Sequence, residues 1–241
     1  MSNSKPPAPS AKPGAPARRS SGADIDAFVR QARALATTGD GKGRLVLALD
    51  ATMSRQPTWD LACELQAQMF DAAGRTGKLA VQLVYFRGFG ECRASRFVSD
   101  TNALKELMVK IQCQGGRTQI GKVLSHALKE TKREKVNALV YIGDAMEEEV
   151  DDLAAKAGEL GLHGVPIFAF QEGHDGAAET ALRELARLTK GAWFRFDRSS
   201  AATLSRLLSA VAVYATGGLK ALEARGRPED RQMIEHLKGS R

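Results

Sequence analysis

The chain has 241 residues, of which 43% are hydrophobic and 26% charged, and its formal net charge is +7. At roughly 100 to 200 residues per domain this is room for one substantial domain with tails, and the balance of apolar and charged residues is that of a soluble globular protein, not of a disordered or membrane-embedded one. Most of the charge excess lies at the ends: residues 1–22 carry Lys5, Lys12, Arg18 and Arg19 with no acidic residue, and residues 217–241 carry six basic side chains against Glu223, Glu229, Asp230 and Glu235. The middle is close to neutral, which argues against a nucleic-acid face on the domain itself.

Met1 is followed by Pro, Ser, Ala and Lys without an apolar leader, and no stretch is apolar for the roughly 20 residues of a membrane span. The expectation is a cytoplasmic protein with no membrane contact. Cys63, Cys92 and Cys113 form no CxxC pair, which fits buried thiols in a reducing compartment. Residues 1–22, rich in Pro, Ala and Ser, read as a disordered basic arm. Residues 23–216 read as the domain, and 217–241 as a short helical or flexible tail.

Within the domain, apolar runs bounded by turn residues alternate with amphipathic stretches, the mark of a parallel sheet covered by helices. Leu45 to Leu49 is a continuous apolar run and reads as a buried central strand. Leu61, Leu65, Met69 and Ala72 then show helical spacing over 58–73, and Ala80 to Phe86 is the second strand. Gly88, Phe89 and Gly90 leave no room for a crossover helix, so 92–98 is expected to return antiparallel as an edge strand. Helices follow over 102–111 and 120–131, then a strand over 138–142. The last third repeats the unit: helix 150–160, strand 167–170, helix 177–188, strand 193–196 and helix 201–214. The total is six strands and about six helices, an α/β fold with one antiparallel edge strand in a mostly parallel sheet.

Such sheets bind ligands at the carboxyl ends of their parallel strands, where the strand order reverses. Counting direction changes brings three loops to that end: Asp50 to Ser54 after the first strand, Gln114 to Thr118, and the loop opening at Asp144. In the first loop Asp50, Thr52 and Ser54 alternate with Ala51 and Met53, so one carboxylate and two hydroxyls can turn the same way. Thr118 adds a third hydroxyl and Asp144 a second carboxylate. Five oxygen donors without His or Cys suit a hard cation, Mg2+ or Mn2+, rather than zinc.

At these positions the chain resembles the von Willebrand factor A (vWA) family, whose metal-ion-dependent adhesion site (MIDAS) is written DxSxS, then Thr, then Asp. The pattern falls on Asp50, Thr52, Ser54, Thr118 and Asp144, with Thr in place of the first Ser, and the resemblance spans roughly residues 42–214. It implies a Rossmann-like three-layer α/β/α fold of the bacterial intracellular type. It implies also that hydroxyls bind the metal directly, that the Asp residues act often through water, and that one position stays open for a partner's carboxylate. Members of this kind serve as adaptors or assembly factors, often beside AAA+ ATPases or chaperones.

Arg55 follows Ser54 and Arg117 precedes Thr118. Three readings of this pair stand: outward to solvent, a rim pairing with acidic groups of the partner, or an arginine in the cation's place. Arg87 and His174 are further rim candidates. Glu147, Glu148 and Glu149 precede the helix at Val150 and are expected to cap it. No residue near the five positions reads as a nucleophile with its base, so the chain is expected to bind, not to catalyse. A magnesium-dependent hydrolase such as a phosphatase and a nucleic-acid binder acting through the basic tails are the alternatives.

Overall fold

In the computed structural model, residues 42–55, 78–197 and 201–225 are described. The expected helix over 58–73, the basic arm, Cys63 and residues 226–241 lie outside them. Six strands form one sheet: β1 (Lys42–Asp50), β2 (Lys78–Arg87), β3 (Glu91–Val98), β4 (Ala138–Gly143), β5 (Ile167–Glu172) and β6 (Ala192–Phe196), in the order β3-β2-β1-β4-β5-β6. β2 and β3 pair antiparallel and every other pair is parallel. β3 is therefore the antiparallel edge strand that the short Gly88–Gly90 turn demands, and Gly88 takes the positive φ of 60° that a tight turn reserves for glycine.

The apolar run of β1 is buried on both faces because helices cover both. Leu45, Leu47 and Leu49 face one layer, made by α1 (Thr101–Val109) and α5 (Ala201–Arg225) through Leu104, Met108, Leu207 and Val211. Val46 and Ala48 face the other, made by α2 (Ile120–Arg133), α3 (Val150–Leu162) and α4 (Gly176–Leu188) through Val123, Leu124, Leu153, Leu160, Leu182 and Leu185. Three layers with a mostly parallel central sheet result. Among the described residues, no helix is long and apolar enough to cross a membrane.

The described elements lie where sequence periodicity puts them, with one larger difference. α5 does not stop at Tyr214 but runs through Gly217 and Gly218 to Arg225. The continuation carries two more buried residues, Ala215 and Thr216, and then crosses two glycines that each cost a helix about 1 kcal/mol; the burial of the described residues does not account for the stretch beyond them. Cys113 is buried and Cys92 half-buried, both as thiols.

Candidate functional site

The strand order places the site. The chain leaves β1 for β2 and β3 on one side and returns to β4 on the other, so the reversal falls between β1 and β4. In their register Leu49 stands opposite Ile142, which sets Asp50, at the end of β1, and Asp144, just after β4, side by side at the carboxyl edge.

The β1 exit folds back on its own carboxylate. Thr52 donates its N–H to Asp50 Oδ1 at 2.8 Å, a turn closed by an Asp side chain on the backbone two residues later. Ala51 turns the opposite way into the core. A 3-10 turn over Met53–Arg55 follows, and it brings the Thr52 and Ser54 hydroxyls within 3.1 Å of each other. Asp50 is itself buried, and its second oxygen, Oδ2, is buried with no hydrogen-bond partner.

Thr118 is held from two directions. Gly116 packs so tightly on Gly88 that a Cβ on it would lie 2.0 Å from the Gly88 carbonyl oxygen, and the Arg117 N–H donates to that same oxygen at 3.1 Å. From the other side Thr118 N–H donates to Glu147 Oε2, and Glu147 N–H donates to Thr118 Oγ1, each at 3.1 Å. Glu148 then accepts from the N–H groups of Ile120 at 2.5 Å and Gly121 at 2.9 Å. Gln119, the residue at the N-cap of α2, gives no side-chain cap of its own, so Glu148 satisfies the exposed donors and the dipole of that helix. The acidic triplet thus departs from expectation. Glu147 and Glu148 serve Thr118 and α2, not α3, and Glu149 at the α3 N-cap makes no side-chain cap bond.

Asp144 Oδ1 is likewise buried without a hydrogen-bond partner. Burial raises the Asp50 carboxyl from 3.8 to about 6; hydrogen bonds from Thr52 pull it down, the like charge of Asp144 pushes it up, and Arg55 pulls it down. Tyr141, on β4, is stacked on Phe86 with ring centroids 6.4 Å apart. Its hydroxyl is pushed well above its ordinary value by burial and then by Asp50, Glu148 and Asp144. The site gathers buried negative charge at the carboxyl end of the sheet.

Arg55 is the cation closest to this charge, and it stands neither in solvent nor on a rim. It is 1% exposed and ion-paired with Glu172, the last residue of β5, with its guanidinium 5.8 Å from the Phe196 ring centroid. Burial lowers its pKa, and Asp144 and Asp50 hold it up. Arg55 is thus shared between Glu172, with which it is ion-paired, and the charges of Asp144 and Asp50, which it partly offsets. Arg117 is exposed. Arg87 instead is tied down, donating to Glu91 at 3.0 Å and to the Gln112 carbonyl at 2.7 Å. His174 lies exposed in the β5–α4 loop.

Thr52, Ser54, Gly116, Thr118 and Glu147 line a cavity of about 200 Å³. No group of three or more His, Cys, Asp or Glu able to hold a metal occurs among the described residues, so a cation here draws on hydroxyl oxygens besides the two carboxylates. The donor set fits one. Two buried carboxylate oxygens without partners and three hydroxyls beside a small cavity are hard ligands for a divalent ion. Glu172, Glu147, Glu148 and Tyr141 were not singled out as parts of the site by sequence reasoning. Only the acidic triplet carried a signal, and that signal pointed to the wrong helix.

No protein-family model and no curated protein matches the chain. Solved structures do. Proximal thread matrix protein 1 from the mussel byssus, in a structure with a zinc occupied MIDAS motif, matches with a TM-score of 0.59 at 17% identity, over 73% of this chain and 47% of its own. A von Willebrand factor type A protein from Catenulispora acidiphila matches with 0.58 at 18%, over 71% and 42%. The SpRpn10 VWA domain matches with 0.56 at 12%, over 73% and 97%. The matched region thus spans less than half of the first two and nearly all of the third, and at these identities the likeness is one of fold.

Proposed function

We propose that this chain, which has the von Willebrand factor A fold, is a protein-interaction module whose Asp50, Thr52, Ser54, Thr118 and Asp144 hold a divalent cation that accepts a carboxylate from a partner protein. The observation that carries this reading is the pair of buried oxygens without hydrogen-bond partners, Asp50 Oδ2 and Asp144 Oδ1. Leaving such groups unsatisfied costs about 1–3 kcal/mol each, and more when they are charged, a cost that a bound cation offsets.

Each residue has a distinct task. Asp50 supplies charge and, through Thr52 N–H, fixes the loop that aligns the two hydroxyls. Thr118 accepts from Glu147 N–H with one lone pair and keeps another. Asp144 adds the second negative charge. A bound divalent ion supplies Lewis acidity and positive charge at the mouth of the cavity, where an acidic side chain of a partner can reach it. All-oxygen donors favour Mg2+ or Mn2+. Binding is favoured over catalysis because the cavity is lined by hydroxyls and by Glu147, already engaged with Thr118, and no imidazole is among them.

Calorimetric titration of Mg2+ and Mn2+ into the chain, compared with Asp50→Ala, tests the metal. Saturable binding by the parent chain and none by the variant is expected. Equal heats from both would sink the reading. Recovery of the same partner proteins in magnesium and in chelator would sink the metal dependence of the interaction.

A further inference from the structure

The rim of the cavity is apolar on one side and acidic on the other. Four large hydrophobic residues are markedly exposed among the described residues, and two of them belong to this end of the sheet. Met53, 55% exposed, lies between Thr52 and Ser54 and lines the cavity. Phe89, 86% exposed, sits at the tip of the β2–β3 hairpin, one residue after Gly88, whose carbonyl meets Gly116 and receives the Arg117 N–H. A hairpin tip needs no phenylalanine, since turn chemistry favours small polar residues there, and leaving this ring in water forgoes about 1.5–3 kcal/mol of burial. On the opposite side, where the β4–α3 loop lines the cavity through Glu147, the chain continues with Glu149, Asp151 and Asp152, all exposed. A polyanion crossing the mouth would meet these four acids.

We infer that the mouth of the cavity docks a protein segment in which one acidic residue is flanked, on the hairpin side, by a large apolar side chain that covers Phe89 and Met53, and on the α3 side by no second acid. The inference rests on the metal reading above for the acidic residue. The apolar flank and the exclusion of acidic runs come from the rim. Arg117, exposed beside the hairpin contact, favours the same orientation, because the hairpin side then adds a positive charge near the central carboxylate while the acidic side faces neutral or basic residues.

The test is a selection from a displayed library of short peptides with glutamate fixed at the centre and random positions on both sides, in magnesium, against the parent chain and Phe89→Ser. Metal affinity of both proteins is read in parallel by calorimetry. The expected result is enrichment of aromatic or aliphatic residues on one side of the glutamate, depletion of acids on the other, and a loss of about tenfold or more in affinity of the enriched peptides for Phe89→Ser, with metal affinity unchanged. Magnesium-dependent enrichment without an apolar preference, an apolar preference that Phe89→Ser keeps, or no enrichment at all on a metal-loaded chain would overturn the docking surface and leave the metal reading standing. Absence of metal binding by calorimetry would instead overturn the metal reading and the docking surface with it.

Discussion

Replacing Asp50 by Asn is expected to stabilise the metal-free chain at neutral pH while abolishing its response to metal. In the folded chain the Asp50 carboxyl titrates near 6 rather than 3.8, first because it is buried. The folded state therefore holds this proton more tightly than the unfolded chain does. The penalty is absent below about pH 4, grows as pH rises, and is complete above about pH 6. At about 1.4 kcal/mol per pH unit this amounts to about 3 kcal/mol. Asn keeps an oxygen for the Thr52 N–H and presents an amide toward Asp144 in place of a second negative charge. In a chain of this size 1 kcal/mol moves Tm by about 2–4 °C, so the gain in chelator at pH 7.5 should reach roughly 6–12 °C and fade to nothing near pH 4. Differential scanning calorimetry across that range reads it. A variant that is no more stable than the parent at pH 7.5, or equally more stable at pH 4 and pH 7.5, would refute the reasoning. Added Mg2+ should raise the Tm of the parent alone.

Three further outcomes follow from contacts around the site. Glu148→Ala removes the acceptor for Ile120 and Gly121 N–H and should cost about 1–2 kcal/mol in urea unfolding, with weaker metal binding because the first turn of α2, which Thr118 leads into, loses its anchor. Gly116→Ala drives a methyl group into the Gly88 backbone; the loops must part, at about 1–3 kcal/mol, and calorimetric metal binding should disappear. Glu172→Gln takes from the buried Arg55 the carboxylate it is ion-paired with, leaving it the charges of Asp144 and Asp50, and should cost up to about 3–5 kcal/mol. The double variant Arg55→Met, Glu172→Leu should unfold at a higher urea concentration than Glu172→Gln alone; the reverse order would show that the pair itself stabilises the fold.

The fold was legible because its signals are local and redundant. Leu45 to Leu49 is apolar at every position, the Gly88–Gly90 turn admits only a hairpin, and counting directions from there puts Asp50, Thr118 and Asp144 at one end of the sheet. What escaped was pairing across long separations. The sequence left Arg55 open between solvent, a rim and the cation's place, because nothing in its neighbourhood announces Glu172, 117 positions later by residue number. Glu148 was assigned to the helix it precedes, whereas it reaches back to the start of α2. Charged side chains carry no periodicity that says which helix end they serve. The continuation of α5 through Gly217 and Gly218 was hidden for the opposite reason: two adjacent glycines are a local stop signal, and the helix does not obey it.

The Glu148 contact has a consequence for anyone who would move this site elsewhere. A helix normally carries its own start signal, and α2 does not; its first turn is written in a loop that follows the next strand. Grafting Thr118 and its helix onto another scaffold therefore means carrying residues 144–149 as well, in the same spatial relation. Conversely, backbone amides at Ile120 and Gly121 should exchange hydrogen with solvent only as fast as that distant loop lets go, which makes them a built-in gauge of whether the site is assembled.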